Sequence, residues 1–198
     1  MEFTGHRSID RKEGYTPDSW HAYKCGDCGH DVSGAVISSF EKKDGPIKWL
    51  LCTKCVDGSV LTRDGTIHPP TSFGPTVEGL PKQVIDAYEE GRKCHAVGAY
   101  TACELICRKI LMHVAVDKGA QEGKGFAEYI DYLESNQYVT PSMKSWVNLI
   151  RVHGNVATHK LDSPDQSRAE STLMFTAELL RLIYEMESFA NKYTKSSP

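Results

Sequence analysis

Between residues 20 and 67 the apolar positions come in short runs broken by turn signals. Val32 to Phe40 and Ile47 to Leu51 are apolar and β-branched, and Lys42-Lys43-Asp44-Gly45 separates them. An Asp-Gly step between two such runs predicts a β-hairpin. Asp57-Gly58 and Asp64-Gly65 punctuate the rest of the segment. Residues 68–80 hold three prolines and two glycines and mark a linker or an ordered wrap. Beyond them the period becomes helical. Pro81 suits the first position of a helix that reaches about Cys94 and breaks near Gly98. A second helix runs from Ala99 to about Lys118 and is closed by Gly119, Gly123 and Gly125. A third covers Phe126 to Asn136, and Thr140-Pro141 opens a fourth with Thr140 as its cap. Ser163-Pro164-Asp165-Gln166 resembles a capping box with proline at the first helical position, and a fifth helix follows to about Lys192. The expected class is α+β, a small N-terminal β-hairpin domain followed by an all-α bundle. Its parts are an irregular segment 1–19, a β domain 20–67, a linker 68–80, a bundle 81–193 and a tail 194–198.

The second helix is apolar nearly all round, with Ala99, Ala102, Leu105, Ile106, Ile110, Leu111, Val114 and Val116, and reads as the central one. Cys103 and Cys107 on it, with Cys94 nearby, are either a second metal or redox site or small buried side chains, and free cysteine is usually the latter. Glu104 and Arg108, four apart, are expected to pair. On the fourth helix Met143, Val147, Ile150, Gly154, Ala157 and Leu161 share one stripe. Trp146, Leu149, Val152 and Val156 form a second apolar face. A helix apolar on two sides is sandwiched within a bundle or between subunits.

Charge and composition narrow the picture. The chain of 198 residues carries a net charge of −3, so no global field draws it to nucleic acid or anionic lipid. Seven cysteines without an export signal point to a reducing compartment, and the cytoplasm is the expected location. No apolar run has spanning length, and no membrane association is expected.

Four of the cysteines carry the clearest chemistry. Cys25-Gly-Asp-Cys28 and Cys52-Thr-Lys-Cys55 are two Cys-x2-Cys pairs with twenty-three residues between them. This spacing suits a tetrahedral structural Zn2+ site in which each pair clips one side of the ion. The alternatives are two disulfides or a redox pair. The hairpin between the pairs, and the lack of a βαβ pattern after them, favour a zinc ribbon. Trp20, Tyr23, Phe40 and Trp49 are expected to supply its small core, or else to stack bases. Lys42, Lys43, Lys48 and Lys54 make a basic scatter that Glu41 and Asp44 dilute.

Between the two apolar faces of the fourth helix lies a polar stripe. Arg151, Asn155 and His159 follow one another at intervals of four and form a ridge about 12 Å long. Arginine holds phosphate and histidine moves protons near neutral pH. With asparagine to orient them, the set suits metal-independent RNA cleavage, the RNA's own 2′-hydroxyl being the nucleophile. The same residues equally suit caps, the following loop or a neighbouring chain.

At this ridge the chain resembles a known family. Leu149-Ile-Arg-Val-His-Gly-Asn-Val-Ala-Thr-His159 is similar to the Arg-x-x-Gly-Asn-x-Ala-x-His signature of domain-of-unknown-function family 4145, of the HEPN-like helical superfamily (higher eukaryotes and prokaryotes nucleotide-binding). Leu80-Pro81, Gly98-Ala-Tyr-Thr-Ala102, Arg108-Lys109-x-Leu111 and Ala177-Glu-Leu-Leu-Arg-Leu-Ile-Tyr184 carry the resemblance further. It implies a HEPN-like bundle behind a zinc ribbon, and a homodimer formed through the helix of residues 141–161. HEPN ribonucleases pair an arginine and a histidine, four to six residues apart, across such a dimer, which would cast Arg151, Asn155 and His159 as catalytic. Here seven residues separate Arg151 from His159, and Met112 stands where an acidic residue is usual. Relatives accompany restriction, toxin and phage-defence systems. Two functions follow as expectations: a non-catalytic adaptor with a protein partner, or a metal-independent endoribonuclease or RNA-binding effector.

Overall fold

The computed structural model describes residues 19–40, 43, 45–159 and 164–194, and the side chains of 152–159 fall outside the description. The N-terminal segment up to residue 18, Glu41, Lys42 and Asp44 of the turn, and residues 195–198 of the tail lie outside the described residues. The chain forms two compact units, residues 1–72 and 73–198.

The first unit is a five-stranded antiparallel sheet in chain order: β1 (Trp20–Lys24), β2 (Asp31–Phe40), β3 (Ile47–Leu51), β4 (Gly58–Leu61) and β5 (Ile67–His68). The register sets its core. Tyr23 faces Val32, Val36 faces Leu50, and Leu61 faces Ile67, so these side chains share one side of the sheet. There they pack with Cys25 and Cys52. A bulge between Val36 and Ser38 shifts the pairing of β2 with β3. Of the four aromatics expected in this core only Tyr23 is buried. Trp49 is 39 % exposed and Phe40 51 %. Trp49 neighbours Leu50 on the strand and Phe40 pairs with Ile47, which puts both on the opposite face.

The second unit is helical: α1 (Lys82–Ala96), α2 (Tyr100–Asp117), α3 (Phe126–Ser135), α4 (Lys144–His159), α5 (Gln166–Leu180) and α6 (Met186–Thr194). Pro81 is the cap of α1 rather than its first residue. A 3-10 turn, Pro141–Met143, leads into α4 with Thr140 in the cap position, and a π turn, Arg181–Glu185, joins α5 to α6. The single fifth helix expected from sequence is present as an unbroken helical run from Gln166 to Thr194, with one wide π turn inside it. Its cap is Asp165, whose carboxylate accepts the Arg168 amide at 2.8 Å, and Pro164 stands outside the helix. Ser163 lies outside the described residues.

The central position of α2 follows from its composition. Cys103, Cys107, Ile110, Leu111, Val114 and Ala115 are buried, and α1, α3 and α5 pack around the helix. Cys103 and Cys107 sit in this core as small apolar side chains. The hydrogen bond with the Cys103 thiol and burial push Cys107 well up, and a thiol held protonated is unreactive. Glu104 goes to a long-range partner. Arg168 Nε and Nη2 donate to its two oxygens, each at 2.8 Å, and the Arg108 guanidinium lies over the Phe126 ring, 4.4 Å from its centroid. Residues 73–80 lie along the bundle. Arg92 donates to the carbonyls of Phe73 and Gly74, and the Tyr88 hydroxyl donates to that of Pro75.

Candidate metal centre and motif helix

Two knuckles with the same hydrogen-bonding plan hold the four cysteines. In the first the amide of Cys25 donates to His30 O and that of Gly29 to Cys25 O. In the second the amide of Cys52 donates to Asp57 O and that of Val56 to Cys52 O. The plan needs positive φ at the residue after the second cysteine, and φ is 69° at Gly29 and 66° at Val56. Glycine adopts that backbone without strain, whereas valine does not. At Gly26 a Cβ would stand 1.9 Å from the Pro69 carbonyl oxygen, so the first knuckle closes only with glycine there.

The knuckles bring the Sγ atoms of Cys25, Cys28, Cys52 and Cys55 within 4.8 Å of one another. Cys25 Sγ is 3.7 Å from Cys55 Sγ, and Cys28 Sγ is 3.8 Å from Cys52 Sγ. A disulfide needs about 2.05 Å. Four sulfurs at the corners of a tetrahedron with Zn–S bonds of about 2.3 Å stand about 3.8 Å apart. The donor set and its spacing therefore fit zinc, with all four thiolates as ligands. Backbone amides of Cys55 and Lys54 draw the Cys52 thiol down to about 6, and Lys54 N lies 3.4 Å from Cys52 Sγ. Although the Asp57 amide pulls it down, burial and the neighbouring Cys52 sulfur push Cys55 up to about 12. Four thiols so close resist joint ionisation, and a divalent cation removes that resistance.

The core face of α4 is buried as its sequence implies, with Met143, Val147 and Ile150 all inside. Gly154, Ala157 and Leu161 lie outside the described side chains. The second apolar face divides. Trp146 packs edge-on to Phe175 and donates to Ser171 Oγ at 2.9 Å, whereas Leu149 is 43 % exposed. Val152 and Val156 lie outside the described side chains.

Arg151 lies over α3. Its Nη2 donates to Asp131 and, at 2.8 Å, to Glu134, and its Nη1 donates to Asn148 Oδ1 at 3.0 Å. Its Nε is buried without a hydrogen-bond partner. The guanidinium in turn holds the Glu134 carboxyl below the usual carboxylate range. Asn155 and His159 stand on the same helix as Arg151, one and two turns further on, and their side chains lie outside the description. Asp131 and Glu134 were missed in the sequence. The one available signal was their spacing of three on a helix, which sets two carboxylates side by side.

Among the described residues no helix is long and apolar enough to cross a membrane. No curated protein and no solved structure matches the chain. The family described as Domain of unknown function (DUF4145) matches residues 89–196, more than half of the chain and nearly all of its helical unit. The protein thus belongs to the DUF4145 family, with a four-cysteine cluster compatible with zinc in its N-terminal unit.

Proposed function

We propose that the protein is a non-catalytic adaptor. In this reading a zinc ribbon precedes a HEPN-like bundle, the bundle pairs with a second copy through the helix of residues 141–161, and the assembly presents surface to a protein partner. The state of Arg151 carries the proposal. Its charge is matched by Asp131 and Glu134. A phosphodiester approaching it would meet two carboxylates as well as one guanidinium, a net repulsion. Exposed Leu149 on α4 supports a pairing surface there. A place in a prokaryotic or phage defence or toxin-type system rests on the HEPN-like resemblance.

The test is an RNA cleavage assay with zinc-loaded protein in the absence of magnesium, alongside sedimentation. The adaptor reading expects no cleavage, and a weaker dimer in Arg151→Ala. Cleavage that His159→Ala abolishes without loss of folding refutes it.

A second reading, a metal-independent endoribonuclease or RNA-binding effector, keeps one observation in its favour. α4 is helical without a break from Lys144 to His159, so positions 151, 155 and 159 fall on successive turns. Arg151 would then have to exchange its carboxylates for RNA phosphate.

A further inference from the structure

Two hydroxyls beside the cysteine cluster are buried and unpartnered. Tyr23 of β1 is 8 % exposed and Ser59 of β4 is 3 %, and neither Tyr23 Oη nor Ser59 Oγ completes a hydrogen bond. A hydroxyl buried in this way is destabilising, and folded proteins seldom keep one without a reason. Both stand on the core side of the sheet. Ser59 lies opposite Leu50, and Tyr23 packs in one cluster with Leu50, Cys25 and Cys52. The strand beside β1 makes room for the tyrosine. Gly34 sits inside β2, where glycine weakens a strand, and a Cβ there would stand 2.4 Å from Tyr23 Cε1. The phenol therefore lies across β2, and its hydroxyl has Ser59 as a polar neighbour. Burial pushes the phenol up, Ser59 offsets part of this, and charge on Cys25, Cys52 and Cys55 adds to it, so the group stays an O–H donor.

We propose that this pair belongs to the metal site: with zinc bound, the Tyr23 hydroxyl donates to a thiolate on the Cys25–Cys52 side of the cluster, and the Ser59 hydroxyl donates to Tyr23 Oη. The inference rests on the zinc reading of the four cysteines and adds two residues that do not touch the metal. The balance of charge supports it. Four thiolates around one divalent ion leave an excess of negative charge. Cys25 and Cys52 are the inner ligands, 0 % and 1 % exposed, so water does not solvate the charge they carry. Backbone amides already face both sulfurs, and the tyrosine extends that cradle of donors from the side-chain layer. The rest of the cluster around Tyr23 is cysteine, leucine, valine and isoleucine, so sulfur is the acceptor it offers to a tyrosine O–H. Hydrogen bonds made to metal ligands from outside orient them and tune how strongly they donate to the ion. Tyr23 and Ser59 are thus positioning residues, which act on zinc through the thiolates.

The full chain loaded with cobalt in place of zinc tests the proposal, because a cobalt–thiolate site absorbs by charge transfer from sulfur. Wild type, Tyr23→Phe and Ser59→Ala are compared, with zinc affinity measured alongside by chelator competition. Tyr23→Phe keeps the ring and removes one oxygen. It is expected to weaken zinc binding about tenfold to a hundredfold and to move the band to longer wavelength, since a sulfur relieved of a donor gives up its electrons more readily. Ser59→Ala is expected to do both in the same sense, with about a threefold loss of affinity. An unmoved band in Tyr23→Phe overturns the proposal whatever the affinity, because a merely structural hydroxyl changes stability without touching sulfur. Ser59→Ala indistinguishable from wild type also overturns it. In the zinc-loaded wild type the Tyr23 hydroxyl proton is expected to exchange slowly and to give NMR cross-peaks to the β-protons of Cys25 or Cys52. A hydroxyl proton whose cross-peaks lead only to water overturns the proposal even where a variant fails to fold. A wild-type chain that takes up neither metal overturns the zinc reading and this inference together, whereas an ordinary cobalt spectrum with the band unmoved in Tyr23→Phe removes this inference alone.

Discussion

Replacing Arg168 by methionine should cost the helical unit more than any comparable change of a charged side chain. The Glu104 side chain is 3 % exposed and that of Arg168 16 %. The guanidinium gives both carboxylate oxygens a 2.8 Å bond, and the Thr172 hydroxyl adds a longer contact at 3.4 Å. Without Arg168 the carboxylate stays between α2 and α5, bonded by the Thr172 hydroxyl and with the charge of Arg108 in reach, so both paired bonds are lost. Removing one partner of a buried ion pair costs about 3–5 kcal/mol, because the remaining charge is desolvated and uncompensated. At roughly 4 °C per kcal/mol for a unit of this size, the midpoint should fall by about 12–20 °C. Glu104→Met/Arg168→Met should recover most of the loss, since two apolar side chains there desolvate nothing. Urea melts followed by helical circular dichroism, run on the wild type, both single variants and the double, give the coupling directly. A cost below about 1 kcal/mol for Arg168→Met, or a double variant as unstable as that single, would show that the pair is not what ties α5 to α2.

Three further outcomes follow from the two units. Metal analysis should find one zinc per chain, and chelation or Cys52→Ser should abolish the near-ultraviolet signal of the ribbon aromatics while leaving helical circular dichroism in place, since zinc binding and folding are one process in such knuckles; a chelated protein with an unchanged ribbon signal would rule that out. Val56→Gly should relieve the positive φ at an exposed position, 67 % accessible, and raise zinc affinity in chelator competition about fivefold, the equivalent of ~1 kcal/mol. Arg151→Ala should change the acid limb of stability. Arg151 depresses the folded-state Glu134 carboxyl, so its contribution is present above the usual carboxylate range and is lost as pH falls through the depressed value. Thermal midpoints should therefore fall less steeply with acid in the variant than in the wild type.

Local rules carried much of this protein in plain view. Two Cys-x2-Cys pairs about a hairpin announced an antiparallel sheet with its four cysteines drawn together, because ligand spacing and turn chemistry act over a few residues. The glycines and prolines cut the helices within a residue or two, and the unbroken apolar surface of α2 marked it as central. Where local evidence was followed too far, it misled. Glu104 and Arg108 do feel each other's charge, as helical spacing implies, but spacing could not show that both carboxylate oxygens go to Arg168, 64 positions away. The aromatics of the N-terminal sheet looked like core by type, but strand parity put Phe40 and Trp49 on the open face, and no compositional argument could settle that parity before the pairing was known.

The polar ridge marks the same boundary. Its periodicity on α4 is a property of the sequence alone, since 3.6 residues per turn puts 151, 155 and 159 in line wherever the helix lies. Whether Arg151 meets solvent or acid depends on which helix packs beside it, and the tertiary fold answers with Asp131 and Glu134 of α3. Period and spacing report what one element can offer, whereas the charge a side chain finally presents is set by neighbours that only the packing brings near.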